Sequence, residues 1–208
     1  MWNAAGKFAL VCLALLALSG CAAVPPAIKI GLVAPFEGRH RSIGYDAIYS
    51  ARMAVREINA AGGIGGRPVA LVALDDRGVP GLARQTAASL AVDPAVMAVV
   101  GHFLPETTAA ASGVYADHGL SLVPMGSFPF GESDPGELSS AFMESYEAIT
   151  PFEETAGPFA GPTYDAVFLI RQALAVAKES ETGITRESVQ DILVGLEYEG
   201  VTGKVHLP

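Results

Sequence analysis

The sequence predicts an α/β fold in which a Rossmann-like parallel sheet is covered by helices on both faces. Four compact apolar segments alternate with stretches of helical periodicity between residues 28 and 127, and each segment ends near Pro, Gly or Asp. The predicted strands are Ile28–Val33, Val69–Leu74, Val96–Val100 and Leu120–Val123. The predicted helices between them are Tyr45–Ala61, Gly81–Leu90 and Thr107–Ala116.

Apolar residues recur on one side of each of these helices. The first helix has the spacing of a helix that lies on a sheet, and the glycines after Asn59 end it. The second helix carries small apolar residues on one face, and the third is rich in small residues throughout, which predicts close packing. The face of the first helix consists of Ile48, Ala51, Val55 and Ile58.

The chain after Ser127 has a different character. Residues 128–140 are rich in turn-forming residues and have no periodicity, so we expect a short connector there. Residues 141–208 predict helices that return to the sheet, followed by an edge strand. These elements are Ala141–Ala148, Pro162–Ser180, a helix capped by Thr185, and the strand Gly200–Leu207.

The first residues predict an export signal. Lys7 supplies a positive charge, Phe8–Leu18 is unbroken apolar sequence, and Ser19-Gly20 places small residues before Cys21. The apolar stretch is shorter than a membrane span. The pattern resembles a bacterial lipoprotein signal, which predicts a signal peptide over residues 1–20, lipidation of Cys21 and a tether over residues 21–27. The alternative is an ordinary signal peptide with an incidental cysteine.

The charge and cysteine content exclude several properties. The chain has 13 Lys and Arg against 22 Asp and Glu, for a net charge of −9. This balance argues against nucleic acid as a partner and against adsorption to anionic lipid, so membrane contact is expected through the lipid anchor only. After cleavage Cys21 is the one remaining cysteine, so no intramolecular disulfide is expected.

No residue set typical of catalysis or metal binding stands out. The cluster Gly62–Gly66 follows a helix and precedes a strand, which is the reverse of the order in a phosphate loop. Asp75 and Asp76 are adjacent on a strand and point to opposite sides, which favours helix capping over shared acid–base chemistry. His102 lacks zinc-ligand spacing with Glu106, so we expect it to pack in the core or a cleft. The chain is therefore expected to be a non-enzyme without metal or cofactor.

Several segments together resemble type I periplasmic binding proteins, and most closely the branched-chain amino acid (Leu/Ile/Val) receptors of ABC importers. The resemblance is most specific over Ala54–Arg67, a helix followed by a glycine-rich turn. It extends over nearly the whole chain after the signal. The other matching positions are Gly44, Asp75-Asp76, Val99–His102, Thr107-Thr108, Val123-Pro124 with Ser127 beyond it, Phe142 and Tyr146, Tyr164–Val167 and Gly200–Val205.

The resemblance implies a ligand site at the carboxyl ends of the strands, where α/β sheets bind their ligands. By position, the implied contacts are Phe103, Leu104, Thr107, Met125 and Ser127. The helix that starts near Thr107 would offer free N–H groups and a positive dipole end to the carboxylate of an amino acid. Pro105 stands where the family tends to have serine, and Glu106 would repel an anion. A simple helix-capping role for Thr107 is the alternative.

One departure from the family concerns length. Family members are far longer, because they build most of a second lobe where this chain has the connector of residues 128–140. We therefore expect a single lobe, residues 28–127, with the helical return of residues 141–208. The resemblance implies an extracytoplasmic solute-binding lipoprotein that delivers an amino acid or related small polar solute to an ABC permease. The alternative is an interaction or sensory module without solute transport, whose uncovered cleft face forms a homodimer or partner surface.

Overall fold

The computed structural model describes residues 25–207, so the predicted signal, the lipidation of Cys21 and most of the tether lie outside the described residues. Six strands are described: β1 (Ile28–Ala34), β2 (Val69–Asp75), β3 (Val96–Gly101), β4 (Ser121–Val123), β5 (Glu197–Gly200) and β6 (Gly203–His206). Six α-helices accompany them: α1 (Arg41–Ala60), α2 (Pro80–Ala91), α3 (Pro105–Asp117), α4 (Ser140–Glu147), α5 (Ala160–Glu179) and α6 (Arg186–Leu193). Two short 3-10 helices span Pro135–Glu137 and Pro151–Glu153.

The predicted parallel sheet is confirmed. Its order is β2-β1-β3-β4, and every neighbouring pair is parallel. Each strand boundary lies within one residue of the prediction, because strands buried on both faces are nearly continuous apolar runs. The first helix begins four residues earlier than predicted, at Arg41, since its first turn carries polar residues that show no apolar periodicity.

Helices cover both faces of the sheet. Alternate residues of the strands face opposite ways, so Ile30 and Leu32 belong to one core and Val33 to the other. The larger core lies between the sheet and helices α1, α5 and α6. The smaller core lies between the sheet and helices α2 and α3, where Leu90 and Tyr115 are buried. This arrangement of three layers confirms the predicted single α/β lobe with a helical return.

The segment after β4 packs back on the sheet and on α1. Phe130 is buried in the larger core, while Leu138, Phe142 and Tyr146 form a small cluster against Met53 of α1. The rings of Tyr146 and Tyr49 meet edge to face at 6.4 Å between centroids. Connector and α4 therefore bury apolar side chains that would otherwise be exposed to solvent.

The prediction of a final edge strand over Gly200–Leu207 is wrong. Strands β5 and β6 form a separate antiparallel hairpin, with Glu197 opposite His206 and Gly200 opposite Gly203. The turn at residues 201–202 returns the chain onto β5. Strand β5 was not predicted, because its sequence Glu-Tyr-Glu-Gly has one large apolar side chain and so shows no apolar run. Beyond the hairpin, a parallel bridge pairs Val194 with Leu207.

Arg186 connects the C-terminal return to the amino-terminal edge of the sheet. Its guanidinium group donates to the carbonyl oxygens of Val96, Ala91 and Asp93 at 2.9, 3.0 and 2.7 Å. These carbonyls belong to the start of β3 and to the turn after α2, where intrahelical partners are missing. Arg186, at the start of α6, thus supplies hydrogen-bond donors to carbonyl groups at the end of α2 and in the turn that follows it.

Within residues 25–207 no helix has both the length and the apolar character needed to cross a bilayer.

Candidate ligand-binding site

The four loops at the carboxyl ends of the strands are joined to one another by hydrogen bonds. The backbone N–H of Phe36, after β1, donates to Asp75 Oδ1 at 2.9 Å. Asp76, after β2, contacts His102 after β3, and the carbonyl of His102 accepts from the N–H of Met125 after β4 at 3.2 Å. These contacts join the four loops at one edge of the sheet and give the edge a fixed shape.

A buried polar chain lies directly beneath this edge. Asp76 Oδ2 lies 2.6 Å from His102 Nδ1, and His102 Nε2 lies 3.1 Å from the hydroxyl of Tyr115. Asp76 and His102 are fully buried, and Tyr115 is 1% exposed. Burial, together with the charge of Asp76, raises the pKa of Tyr115, so its phenol keeps its proton and can donate to His102. The expectation that His102 packs in the interior is confirmed.

The two adjacent aspartates have no partner in common. Asp75 accepts hydrogen bonds from the N–H groups of Phe36 and Arg77, whereas Asp76 accepts from Gly78 and contacts His102. This separation was predicted, because adjacent strand residues point to opposite sides. The predicted helix-capping role is wrong: α2 begins after Val79, and no side chain caps it.

Three of the implied ligand residues lie below the surface of the edge. Phe103 and Met125 are each 2% exposed and belong to the larger core. The ring of Phe103 meets that of Phe159 edge to face at 5.4 Å between centroids. Thr107 is fully buried, and its hydroxyl donates to the carbonyl of Leu104 at 2.9 Å, which is a local contact within the first turn of α3. The structure thus brings these residues together as the floor of the edge.

The other two implied residues reach solvent. Leu104 is half-buried, and its side chain lies against Gly78, where a Cβ atom would stand 2.8 Å from Leu104 Cδ1. Ser127 is exposed at the tip of the β4 loop. Gly126 brings that loop close to the β3 loop: its φ is +78°, and a Cβ there would stand 2.3 Å from the carbonyl oxygen of Phe103. The loop that carries Ser127 therefore depends on a glycine beside it.

Sequence reasoning missed the residues that cover this floor. Phe130 is fully buried and Phe159 is 5% exposed, and both reach the larger core from the segment after β4. Asp46 of α1 was also missed; its Oδ2 accepts from the N–H of Phe159 at 3.4 Å. One indication of this burial was present in the sequence: the turn-rich segment contains aromatic residues, which are uncommon in loops exposed to solvent.

Asp46 occupies an unfavourable environment for a charge. Burial raises its pKa to about 6, and the nearby charge of Glu154 adds to this, although N–H groups of Phe159 and Gly157 oppose the shift. The approach is close, since a Cβ atom on Gly157 would stand 2.2 Å from Asp46 Oδ2. The folded chain therefore holds a proton on Asp46 at a pH where the unfolded chain has released it.

This difference makes stability depend on pH. Between the ordinary value of 3.8 and about 6 the folded state binds the proton and the unfolded state does not, so the free energy of unfolding falls as pH rises through this window. We expect Asp46→Asn to raise the free energy of unfolding at pH 7 by about 1 kcal/mol, after allowance for partial solvent exposure, and to flatten the slope between pH 4 and 6. Urea unfolding across this range measures both effects. Asp191→Asn, at an exposed position on α6, is the control; an equal change in its slope would contradict the assignment.

Comparison with known proteins identifies the architecture. A family model described as periplasmic binding protein matches residues 27–133. The amino acid binding protein of Pseudomonas aeruginosa is 38% identical over 100 residues, which are 48% of this chain and 27% of that protein. The Leu/Ile/Val-binding protein of Escherichia coli K12 is 32% identical over 96 residues, which are 46% of this chain and 26% of that protein. The chain thus spans about a quarter of the length of the curated relatives that it matches.

A solved structure shows the same fold. The branched-chain amino acid transporter substrate binding protein LivJ from Streptococcus pneumoniae, in complex with isoleucine, superposes with a TM-score of 0.74 at 18% identity. The superposition covers 88% of this chain and 92% of that one. The family match covers half of the chain, including all four strands of the sheet and the loops at their carboxyl ends. Members of this family bind substrates rather than transform them. The chain therefore belongs to the periplasmic binding protein family.

Proposed function

We propose that the chain is an extracytoplasmic solute-binding lipoprotein of an ABC importer, and that it binds amino acids or related small polar solutes. The observation that carries this proposal is the family match over residues 27–133, which includes the four loops joined at the sheet edge. The names of the relatives support the solute class, since they are amino acid or Leu/Ile/Val-binding proteins. An ABC permease is the partner that such a protein would deliver to.

The proposed site is the edge formed by the loops after β3 and β4. Ser127 would offer its exposed hydroxyl to the solute, and Leu104 an apolar contact. Phe103, Thr107 and Met125 would support these loops from below. The start of α3 would face a carboxylate with its positive dipole end, with the restriction that Pro105 has no N–H to donate.

The remaining features of the proposal concern the anchor and the domains. Cys21 would carry the lipid after cleavage of residues 1–20, and residues 21–27 would link it to the fold. Residues 28–127 would be the first lobe and residues 128–140 a connector in place of most of the second lobe. Residues 141–208 would be the helical return that packs on that lobe and closes the larger core.

Solute binding is testable by thermal unfolding and calorimetric titration with leucine, isoleucine, valine and their amides. A solute that binds the folded state adds about 2.7 kcal/mol of stability at one hundred times its Kd, so the melting temperature should rise. Ser127→Ala is expected to weaken binding about fivefold, the effect of one hydrogen bond, without changing the melting temperature of the free protein. Ser89→Ala, an exposed serine on α2, is the matched control and should bind normally. If none of these solutes raises the melting temperature, the proposal is rejected.

A second candidate function follows from the burial of Phe103, Thr107 and Met125. With these side chains in the interior, the edge offers solute few contacts, and the chain would act as an interaction or sensory module. In that case solutes leave the melting temperature unchanged, and light scattering shows a fraction of dimer that increases with protein concentration.

A further inference from the structure

The net charge of the chain conceals an uneven distribution. Residues 28–84 carry eight Lys and Arg against five Asp and Glu. Residues 85–170 carry eleven Asp and Glu and no Lys or Arg. Most of the acidity that argues against anionic partners therefore belongs to residues 85–170, and residues 28–84 must be considered by themselves.

The positive part includes a narrow exposed stripe along α1. Most of this helix is buried against the sheet, α4 and α5, and the exposed positions between Ile43 and Arg56 are Tyr45, Arg52 and Arg56. Arg41, at the start of the helix, is also exposed. At about 100° per residue, these four residues lie within an arc of about 60°. We call them the arginine stripe: Arg41, Tyr45, Arg52 and Arg56.

The arginines of the stripe have no acidic partner within residues 25–207. The ion pairs found there involve other cations, at Lys29, Arg77, His102, Lys178 and Lys204. The acids of α1 turn away from the stripe toward α5, where Asp46 accepts from the N–H of Phe159 and Glu57 accepts from the hydroxyl of Tyr164. Three guanidinium groups are thus left to face an external partner.

The described chain begins beside one end of the stripe. Pro26 accepts a hydrogen bond from Arg67 Nε at 3.0 Å, and Ile28 donates to Pro68 at 2.9 Å. Asn59, in the last turn of α1, makes two hydrogen bonds to the backbone of Val69 in the same region. Pro26 is the fifth residue after Cys21, so a lipid on Cys21 would hold Pro26, beside this end of α1, within about 18 Å of a bilayer.

We propose that the arginine stripe binds anionic phospholipid headgroups and lays α1 along the membrane surface. Guanidinium groups pair with phosphate oxygens in a bidentate manner, and a tyrosine among them suits the interface because its ring is apolar and its hydroxyl polar. A cationic helix face is typical of contact with a membrane surface. The same surface repels the acidic residues of the segment 85–170, so contact through the stripe is favoured over contact through a face that carries those residues. This orientation rests on the proposed anchor at Cys21, whereas the lipid affinity does not.

Vesicle binding tests the affinity without acyl chain or solute. The chain from residue 22 onward retains every residue that the structure describes. At low ionic strength we expect it to sediment with phosphatidylglycerol vesicles and not with phosphatidylcholine vesicles, and salt should release it. The double variant Arg52→Gln with Arg56→Gln should bind more weakly by about fivefold for each arginine. Arg84→Gln with Arg171→Gln removes two exposed arginines elsewhere and should bind normally.

A tryptophan reporter tests which face meets the lipid. The sequence has one tryptophan, Trp2, which the shortened chain lacks. We expect Tyr45→Trp to emit at shorter wavelength with phosphatidylglycerol vesicles, and Val92→Trp, 75% exposed on the far side of the sheet, to stay unchanged.

Three results would overturn the proposal: equal binding to both lipids, equal loss in the control pair, or a salt-sensitive dimer without vesicle binding, which would assign the stripe to a second copy. None of them depends on solute binding at Ser127, so the two proposals can fail separately.

Discussion

Asp76→Ala is expected to lower the free energy of unfolding by about 3 kcal/mol or more, because it leaves a buried histidine without its charged partner. Asp76 Oδ2 lies 2.6 Å from His102 Nδ1, and both side chains are fully buried. The N–H of Gly78 loses its acceptor as well, and the ring of His102 lies away from solvent in the folded protein. Urea unfolding of the variant and the parent protein at one pH measures the difference.

The neighbouring Asp75 provides the matched control. It has the same chemical type and also accepts hydrogen bonds, but its side chain is 25% exposed, so water can solvate the groups that it leaves. We expect Asp75→Ala to cost about 1 kcal/mol. A double-mutant cycle between Asp76→Ala and His102→Ala should show strong coupling, because the two residues share one buried contact. Equal losses at positions 75 and 76, or additive losses in the cycle, would contradict the role given to this pair.

The framework of this fold was predictable because its signals are local. Each strand of the sheet is an apolar run such as Val96–Val100, and burial on both faces requires such a run in a parallel sheet. The helices lie where apolar residues recur with the period of a helix, and α6 starts at the cap that Thr185 predicts. The hairpin of β5 and β6 was not predictable in this way, since only Tyr198 in β5 has a large apolar side chain.

The site was predictable in outline but not in depth. Strand order alone places the loops after β3 and β4 side by side, which brings Gly126 close to the backbone of Phe103. Whether Phe103 faces solvent depends on Phe159, which is more than fifty residues further along the chain. The contact of Asp46 with Phe159 spans 113 residues and leaves no local pattern. Contacts between residues that are far apart in the sequence therefore decide which side chains at this edge are exposed and which are buried.

Asp165→Ala is expected to open the β5–β6 hairpin and to cost about 2 kcal/mol or more. Asp165 in α5 is fully buried and accepts from the N–H groups of Val201 and Thr202 at 2.8 and 2.9 Å, and from the hydroxyl of Thr202. These two N–H groups form the turn of the hairpin, so their exchange with deuterium should accelerate far more than that of β1. Thr202→Val removes only the hydroxyl contact and is the mild control.

Gly200 provides an independent way to disturb the same contact. A Cβ atom at this position would stand 2.3 Å from the carboxyl carbon of Asp165, so Gly200→Ala should push the turn away while the carboxylate remains. Both variants are expected to expose the same two N–H groups, and the double variant should lose no more than the larger single loss, because one contact cannot be broken twice. Additive losses would mean that the hairpin is held mainly by other contacts, such as the stacking of Tyr198 on Phe168 at 6.3 Å between centroids. Burial also raises the pKa of Asp165, so the contribution of this carboxyl group to stability should decline as pH rises through that pKa.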